Sequence, residues 1–320
     1  MTSRIVVTRA IPGSALELLE QAGDVWMSDV DRPLDVRELH RAIAGASGVV
    51  TLLHDRVDDA FLDAAGADLR VVANVAVGYD NIDVDACLRR GVSPTNTPGV
   101  LTDATADLAL ALILMATRRL GEGERLVRTG VKWRWGLDYH LGTGIQGKIL
   151  GVVGLGQIGT AVARRARAFG MEIAYSGRRQ APREVEVELG ACYLPLDELL
   201  ATSDVVSLHC PLTAETRHLI DAARLRLMRP TAFLINTTRG PVVDEGALVE
   251  ALREGTLAGA GLDVFEREPE VHPGLLELEY VVLLPHLGSA TVETRTAMAE
   301  LAARNVVAVL GGRPPLTPIG

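Results

Sequence analysis

Aromatic residues and cysteines are both scarce in this 320-residue chain. Phe, Trp and Tyr make up 4% of it, so the core has to be built mainly from Val, Leu, Ala and Ile. The three cysteines, Cys87, Cys192 and Cys210, are odd in number and form no C-x-x-C pair. This excludes a disulfide framework and favours small buried side chains in a reducing compartment.

Long apolar runs and net positive charge are missing as well. The longest unbroken apolar run, Leu108–Ala116, is too short to span a bilayer, and Ser3–Thr8 is typical of a first strand rather than a signal peptide. A net charge of −9 argues against nucleic acid or an anionic membrane surface as a partner. We expect a cytoplasmic protein with no metal site, in which local arginines capture any anionic substrate.

A glycine-rich turn lies in the middle of the chain, directly after the apolar run Ile149–Val153. The turn reads Gly154-Leu155-Gly156-Gln157-Ile158-Gly159, and a helical run follows it. Gly154 suits a tight turn, Gly156 lets a pyrophosphate approach the backbone, and Gly159 lets helix and strand pack closely. In this setting the pattern predicts a dinucleotide site. The alternative is a tight turn between strand and helix with no ligand.

The residues after the next strand, Met171–Ser176, bear on which dinucleotide is bound. NAD-binding units carry an Asp or Glu about 20 residues past the glycines, where it binds the ribose 2′-OH. Here the chain has Gly177, Arg178 and Arg179. A guanidinium binds a 2′-phosphate bidentately, so we expect NADP(H) to be preferred over NAD(H). The alternative is a pair of solvated arginines in a surface loop.

Short β-rich runs alternate with helical ones along the whole chain, which predicts parallel sheets covered on both faces. The fold class we expect is α/β, with two doubly wound parallel-sheet domains and a cleft between them. One is a flavodoxin-like substrate-binding domain formed by residues 1–99 plus 288–320. The other is a Rossmann dinucleotide-binding domain, residues 100–287. Its predicted strands are Ile149–Val153, Glu172–Ser176, Val205–Leu208, Thr231–Asn236, Ala260–Asp263 and Val281–Leu284.

The helix predicted from Ala104 to about Arg119 is apolar on nearly every face. A helix of this kind must be buried all round, so we interpret it as part of a homodimer interface or as lying between domains. The less regular residues 120–147 contain Trp133 and Trp135, and fit either a loop over a site or an arm across a partner subunit. Together, residues 102–146 are the predicted dimerisation helix and arm.

Three chemically distinct residues each follow a predicted strand of the second domain. They are Arg239, Glu268 and His286. Open α/β sheets bind ligands at the carboxyl ends of their strands. There, Arg239 could bind and polarise a 2-oxo acid, while His286 donates a proton and Glu268 orients the imidazole and favours its charged form. Taken singly, each residue has a purely structural alternative.

The motifs resemble those of the D-isomer-specific 2-hydroxyacid dehydrogenases, in the family's order and along the whole chain. They are Asn74–Asp83, Thr105–Leu108, the glycine turn, His209–Thr213, Arg239-Gly240 with Val243–Glu245, Asp263–Glu266 with Glu268-Pro269, and Pro285–Thr291. Within that family, Val100–Leu108 and Tyr175–Arg179 are most similar to the glyoxylate/hydroxypyruvate reductase branch.

The resemblance implies a role for each matching residue. Arg239, Glu268 and His286 would be catalytic, and the amides of Val77 and Gly78 would join Arg239 and His286 in binding substrate. The residues implied to contact the cofactor are Thr105, Gly154, Leu155, Gly156, Gln157, Ile158, Gly159, Gly177, Arg178, Arg179, Cys210, Pro211, Thr216, Thr237, Asp263 and Gly288. One departure is Asp107, where the family usually has Glu.

The resemblance implies an NADPH-dependent reductase of glyoxylate, hydroxypyruvate or a similar small 2-oxo acid, with His286 as the proton donor. A first alternative is an NAD-dependent dehydrogenase of another substrate such as 3-phosphoglycerate. The second is a dinucleotide-sensing binding protein similar to the transcriptional corepressors that share this fold. The sequence leaves the specificity-determining residues of the loop Trp133–His140 open.

Overall fold

The polypeptide divides into two units in a computed structural model that describes residues 3–30 and 32–320. The first unit combines Met1–Leu101 with Ala290–Gly320, and the second is Thr102–Ser289. Strands of the first unit are β1 Arg4–Val7, β2 Asp24–Met27, β3 Gly48–Thr51, β4 Val71–Asn74 and β5 Ser93–Thr95. Its helices are α1 Gly13–Glu20, α2 Val36–Ile43, α3 Asp59–Ala65, α4 Val84–Arg89 and the C-terminal α13 Val292–Leu310.

The second unit is built in the same alternating way. Its strands are β6 Ile149–Val153, β7 Glu172–Ser176, β8 Ala191–Tyr193, β9 Val205–Leu208, β10 Phe233–Asn236, β11 Gly259–Leu262 and β12 Val282–Leu283. Its helices are α5 Thr102–Thr117, α6 Leu120–Arg128, α7 Gln157–Ala168, α8 Arg183–Leu189, α9 Leu196–Thr202, α10 Ala222–Leu225, α11 Glu245–Arg253 and α12 Pro273–Leu276, and a short 3-10 turn spans Gly240–Val242.

The first unit has a parallel sheet in the order β2-β1-β3-β4-β5, which is the flavodoxin-like order. Alternate residues of a strand point to opposite faces of the sheet. Thus Ile5 and Val7 pack with α1 and α13, whereas Val6 packs with α2 and α3. Because both faces are covered, β3 and β4 are buried along their whole length.

The second unit has a parallel sheet in the order β12-β11-β10-β9-β6-β7-β8. From β6 the chain builds outward in one direction through β7 and β8, then returns to the other side of β6 with β9. This reversal creates the switch point at which open α/β sheets bind ligands. The two parallel α/β sheets confirm the predicted fold class, and this order is that of a Rossmann domain with an added strand.

The apolar helix α5 is buried mainly within its own unit. It packs against α7 and against β10 and β11, and Leu112 and Ile113 are fully buried there. Its own unit therefore covers much of its apolar surface, and the interpretation of α5 as part of a homodimer or interdomain interface stays a prediction. The apolar residues of α5 that stay half-exposed are Ala104, Leu108, Ala111, Leu114 and Met115.

Three further expectations are corrected by the structure. The segment expected to be irregular from residue 120 begins with a regular helix, α6. The chain between β7 and α9 forms helix α8 and the edge strand β8, neither of which was predicted. Cys192 is exposed rather than buried, because it lies on this three-residue edge strand. Cys87 is buried as expected.

Among the described residues, no helix combines the length and apolarity that crossing a bilayer requires.

Candidate active site

The three candidate catalytic residues belong to loops that leave adjacent strands at one edge of the second unit's sheet. Arg239 lies three residues after β10, Glu268 follows β11, and His286 lies three residues after β12. Since β10, β11 and β12 are parallel neighbours, their carboxyl ends coincide. The topology alone therefore brings a guanidinium, a carboxylate and an imidazole to one region.

Glu268 and His286 form a direct pair, with Nδ1 of the imidazole 2.8 Å from Oε2 of the carboxylate. Both side chains are largely covered, His286 being 28% and Glu268 19% exposed. A carboxylate on Nδ1 fixes the proton there and leaves Nε2 as the ring nitrogen available to a ligand. The geometry is that of an oriented proton donor or acceptor.

The second carboxylate oxygen of Glu268 accepts the backbone N–H of Phe265 at 3.0 Å. Burial on its own acts to raise the pKa of Glu268, but the hydrogen bond and the charge of His286 outweigh it. The N–H of Phe265 and the charge of Arg239 act in the same direction, so the net pKa of Glu268 lies below its usual value. The carboxylate thus stays ionised at neutral pH, and the pair is lost only as the pH falls through that lowered pKa.

The backbone of His286 adopts a left-handed conformation, with φ of +54°. This conformation is unfavourable for a residue with a Cβ and persists where its surroundings over-determine it. Asp263, at the end of β11, supplies the restraint. Its carbonyl accepts the N–H of His286 at 2.9 Å, and its carboxylate accepts those of Leu287 at 2.7 Å and Gly288 at 2.8 Å.

Asp263 is 1% exposed, and burial raises its pKa despite the two backbone N–H groups and the charge of His286. The same loop is held from the other side by Thr105 of α5, whose hydroxyl donates to the carbonyl of Gly288 at 3.0 Å. Three residues expected near the nicotinamide end of the cofactor, Thr105, Asp263 and Gly288, therefore form one hydrogen-bonded cluster.

Arg239 is positioned by the buried Asn236, the last residue of β10. The Asn236 side chain donates to the carbonyl of Arg239 at 2.9 Å and accepts the backbone N–H of Thr238 at 3.0 Å. The turn is therefore closed by one amide side chain. Next to it, Thr237 has a buried hydroxyl with no hydrogen-bond partner among the described residues. A buried polar atom of this kind is explained by a bound ligand or water.

The loops after β10 and β11 are in contact because residue 240 is a glycine. A Cβ at Gly240 would lie 1.9 Å from the carbonyl carbon of Phe265 and 2.3 Å from the nitrogen of Glu266. Glu245, at the start of α11, adds a second link, since its carboxylate accepts the N–H of Glu266 at 2.6 Å. Both contacts fix the segment that leads to Glu268.

The link from Glu245 and the pair formed by His218 and Glu266 were not predicted from the sequence. Glu245 is 5% exposed, and burial raises its pKa. Its presence in the family-like run Val243–Glu245 was a signal, but no sequence pattern indicates which backbone N–H it accepts.

The glycine turn has the shape that a dinucleotide requires. Gly154 has φ of +97°, and a Cβ there would lie 2.9 Å from the backbone of His209 and Cys210. A Cβ at Gly159 would lie 2.2 Å from the carbonyl oxygen of Gly154. By contrast, nothing lies within 4 Å of a Cβ at Gly156, which caps α7 without any side-chain hydrogen bond. An open glycine at an uncapped helix N-terminus fits a pyrophosphate. Leu155, Gln157 and Ile158 complete this turn.

The segment opposite the turn is stiffened by its own hydrogen bonds. The hydroxyl of Thr216 donates to the carbonyl of Pro211 at 2.6 Å and accepts the N–H of Thr213 at 2.7 Å. Burial raises the pKa of the Cys210 thiol to about 11, so this cysteine is an unreactive neighbour of the turn. Burial also lowers the pKa of His209 to about 4, which keeps its imidazole neutral.

The residues at the predicted ribose end lie after β7. Arg178 and Arg179 are exposed, and Gly177 next to them is half-buried. The predicted substrate residues Val77 and Gly78 belong to the first unit, after β4. Their carbonyls accept side-chain amides, that of Val77 from Asn96 at 2.8 Å and that of Gly78 from Asn74 at 3.2 Å.

Asp107, the departure from the family pattern, forms an ion pair with Arg165 of α7, which also binds Asp103. Its carboxylate thus links α5 to α7, which agrees with a structural role.

Within the described residues, no group of three or more His, Cys, Asp or Glu side chains is arranged to hold a metal ion.

Comparison with known proteins shows the family of the chain. Residues 110–288 match the family model described as the NAD-binding domain of D-isomer-specific 2-hydroxyacid dehydrogenase. The chain belongs to this family. A glyoxylate reductase of Thermococcus onnurineus is 48% identical over 99% of this chain and 96% of its own length. A glyoxylate reductase of Aeropyrum pernix is 50% identical over 98% of this chain and 94% of its own.

Solved structures extend the likeness to the fold. A protein from Thermus thermophilus has a TM-score of 0.92 at 45% identity and covers 99% of this chain and 100% of its own. An NADPH-dependent glyoxylate/hydroxypyruvate reductase from Sinorhizobium meliloti, solved with NADP and malonate, has a TM-score of 0.85 at 37% identity, covering 100% and 97% of the two chains. The predicted family and the prediction of an oxidoreductase are confirmed. The comparisons give no support to the alternative of a non-enzymatic binding protein.

The contact at Gly240 leads to a test of how the site is assembled. Gly240→Ala would force the backbone of the Phe265 loop to move, so we expect about 1–3 kcal/mol or more of lost unfolding free energy together with a large loss of activity. Gly246→Ala is the matched control, because its Cβ would meet only a side-chain oxygen of Asp244 at 3.5 Å. Chemical denaturation and steady-state kinetics of both variants measure this. Equal stability of the two would contradict the proposed contact.

Proposed function

We propose that this enzyme reduces glyoxylate, hydroxypyruvate or a similar small 2-oxo acid to the 2-hydroxy acid, with NADPH preferred over NADH. The observation that carries the proposal is the Glu268–His286 pair at the sheet edge it shares with Arg239. The names of the relatives support the substrate class, since several at 47–50% identity are glyoxylate reductases.

The bound dinucleotide would supply the hydride. In the proposed reaction Arg239 binds the substrate carboxylate and polarises the carbonyl group. His286 then donates a proton from Nε2 to the carbonyl oxygen as it gains charge, while Glu268 holds Nδ1 and stabilises the protonated ring. The backbone amides of Val77 and Gly78 bind substrate carboxylate oxygens, as the family resemblance implies.

The preference for NADPH rests on the two exposed cations, Arg178 and Arg179, at the end of β7, where an NAD-specific unit would carry an acid. The remaining cofactor contacts are assigned to the glycine turn, the Cys210–Thr216 segment and the cluster of Thr105, Asp263 and Gly288, with Thr237 beside it. In this assignment the second unit is the dinucleotide domain and the first is the substrate domain.

The assay follows nicotinamide absorbance with glyoxylate or hydroxypyruvate, comparing NADPH with NADH. Faster turnover with NADPH supports both parts of the proposal. Faster turnover with NADH leaves the family in place and refutes the arginine argument. If neither cofactor is consumed with either acid, the proposed substrate class is wrong.

The catalytic set is tested by substitution. His286→Ala should lower kcat/KM by roughly 10² or more, because general acid catalysis alone contributes about 10²–10⁴. Arg239→Ala should also lower kcat/KM by roughly 10² or more, because it removes the charge that binds the substrate carboxylate and polarises the carbonyl group. Arg226→Ala is a suitable control, since the native side chain is exposed and lies at the end of α10 rather than in one of the three loops. Near-normal turnover of the His286 and Arg239 variants would refute the assignment.

The role of Glu268 is tested by pH. Glu268→Gln keeps the shape of the side chain but removes the charge that favours the protonated imidazole, so reduction should fade at a lower pH than in the parent enzyme. The measurement is kcat/KM for reduction across the neutral and alkaline range. A profile with the same midpoint in both enzymes would contradict a pair that acts through its charge.

A homodimer is the assembly we propose, formed through the segment after α6. Its apolar side chains are exposed, Trp135 at 77% and Leu137 at 86%, and exposed apolar side chains that are grouped in one segment are typical of an interaction surface. The other exposed apolar residues of this segment are Val131, Trp133, Tyr139 and Leu141. A second copy of the chain is the occupant that this arm fits.

Light scattering tests the dimer. The double substitution Trp135→Ser, Leu137→Ser should shift the protein from dimer to monomer, because it removes the two most exposed apolar side chains of the arm. Val187→Ser is the control, since Val187 is also an exposed apolar residue, at 70%, but lies on α8. A parent protein that is monomeric at all concentrations would refute the proposal.

A further inference from the structure

The loop that carries Arg178 and Arg179 is fixed at both ends by tyrosine hydroxyls. At its start, the hydroxyl of Tyr193 donates to the carbonyl of Gly177 at 3.3 Å. At its end, the N–H of Ala181 donates to the hydroxyl oxygen of Tyr175 at 2.8 Å. The two arginines lie between these fixed points.

Glu186 of α8 completes the network. Its Oε1 accepts the hydroxyl of Tyr175 at 2.7 Å and the side-chain amide of Gln180 at 2.8 Å. Since the Tyr175 oxygen already accepts the Ala181 N–H, its one proton is directed to Glu186. Burial and the bond to Glu186 raise the pKa of Tyr175 to about 12, so the hydroxyl keeps this proton across the working range of pH.

The two tyrosines are themselves held by the sheet. Tyr175 in β7 and Tyr193 in β8 are register partners, and their rings meet edge to face with centroids 5.4 Å apart. Tyr175 is 1% exposed. The hydroxyls are therefore held in place by the sheet, and their hydrogen bonds restrain the backbone of the loop.

The arginines themselves remain accessible. Both are exposed, and within the described part of the chain neither has an ion pair within 4 Å or a side-chain hydrogen bond. The charge of Arg178 acts at longer range on the exposed Glu215, whose pKa lies below its usual value mainly because of its hydrogen bond with Thr213. Around Gly177, only the carbonyl of Arg179 lies within 4 Å of where a Cβ would be. The loop thus combines a fixed backbone with two guanidiniums that face solvent, and this arrangement suits the binding of an anion.

We propose that Tyr175, Glu186 and Tyr193 are positioning residues that give the enzyme its selectivity for the 2′-phosphorylated dinucleotide. They hold the backbone from Gly177 to Ala181 so that Arg178 and Arg179 meet the 2′-phosphate without first losing the freedom of a mobile loop. This inference rests on the proposed preference for NADPH. It assigns that preference to the hydrogen-bonded support as well as to the arginines.

Tyr175→Phe tests the support directly, because it keeps the buried ring and removes only the hydroxyl. Because the hydrogen bonds of the Tyr175 hydroxyl to Ala181 and Glu186 are lost, we expect the Kd of NADPH and of 2′,5′-ADP to rise about fivefold or more. The Kd of NADH and of 5′-AMP should change less than about twofold, since these ligands carry no 2′-phosphate. The kcat should stay the same. Fluorescence titration and calorimetry measure these values without relying on turnover.

Conservative and matched variants separate positioning from general damage. Glu186→Ala should reproduce the defect, whereas Glu186→Gln should be close to the parent because its amide oxygen still accepts both donors. Tyr280→Phe is the control, since Tyr280 also donates a hydroxyl to a backbone carbonyl, that of Leu252, at the opposite end of the sheet order. Should Tyr175→Phe not fold, the two Glu186 variants carry the test.

Equal losses of NADPH and NADH affinity in Tyr175→Phe or Glu186→Ala would overturn the inference, as the residues would then be merely structural. The double variant Arg178→Ala, Arg179→Ala shows whether the inference alone or the proposed arginine site is wrong. If it loses the NADPH preference while Tyr175→Phe and Glu186→Ala retain it, the arginine site stands and only the inference falls. If the double variant keeps the preference, the proposed arginine site is itself wrong.

Discussion

The parallel pairing of β10, β11 and β12 is the constraint on which the candidate active site depends. Asn236 is in register with Leu262, and Leu262 with Leu283, so the three strands end together and their loops leave from one edge. The small residues of β11 permit this arrangement. A Cβ at Gly261 would already be in tight contact with Ile235 and with Leu112 of α5.

Buried carboxylates then hold the loops that the sheet brings together. Asp263 and Glu245 are nearly inaccessible to solvent and pair mainly with backbone N–H groups rather than with cations. An unsatisfied buried carboxylate would be very costly, so each of these groups favours the loop conformation that supplies its donors. This is how a left-handed His286 and its partner Glu268 are kept in place. Exposed ion pairs such as Arg164–Glu188 contribute far less.

At the proposed cofactor end the same principle works through glycines and tyrosines. Two glycines of the turn, Gly154 and Gly159, are required by close backbone approach, and the third, Gly156, leaves its face open. Beyond β7, hydroxyls of Tyr175 and Tyr193 restrain a loop whose charged side chains point to solvent. In both places restrained backbone surrounds the proposed anion-binding surface, and this restraint would reduce the entropy lost when a ligand binds.

The alternation of strands and helices, the glycine turn, and the three chemically distinct residues that follow the last strands could all be predicted from the sequence. These follow from local preferences and from short motifs whose spacing reflects one strand, one turn and one helix. It did not determine helix α6 or the edge strand β8, because neither has a long periodic apolar run. Nor did it show that much of the apolar surface of α5 is covered within its own unit, since an apolar helix can be buried by its own domain as well as by a partner.

Which polar groups pair with one another could be learned only from the folded structure. That Asp263 binds the backbone of Leu287 and Gly288, that Glu245 binds the N–H of Glu266, and that Glu186 supports Tyr175 depend on contacts between segments far apart in the chain. Each contact is set by the closing of the sheet and the packing of helices on it. A sequence records that a carboxylate or a hydroxyl is present, whereas its partner is fixed only when the fold brings a donor or acceptor within about 3 Å.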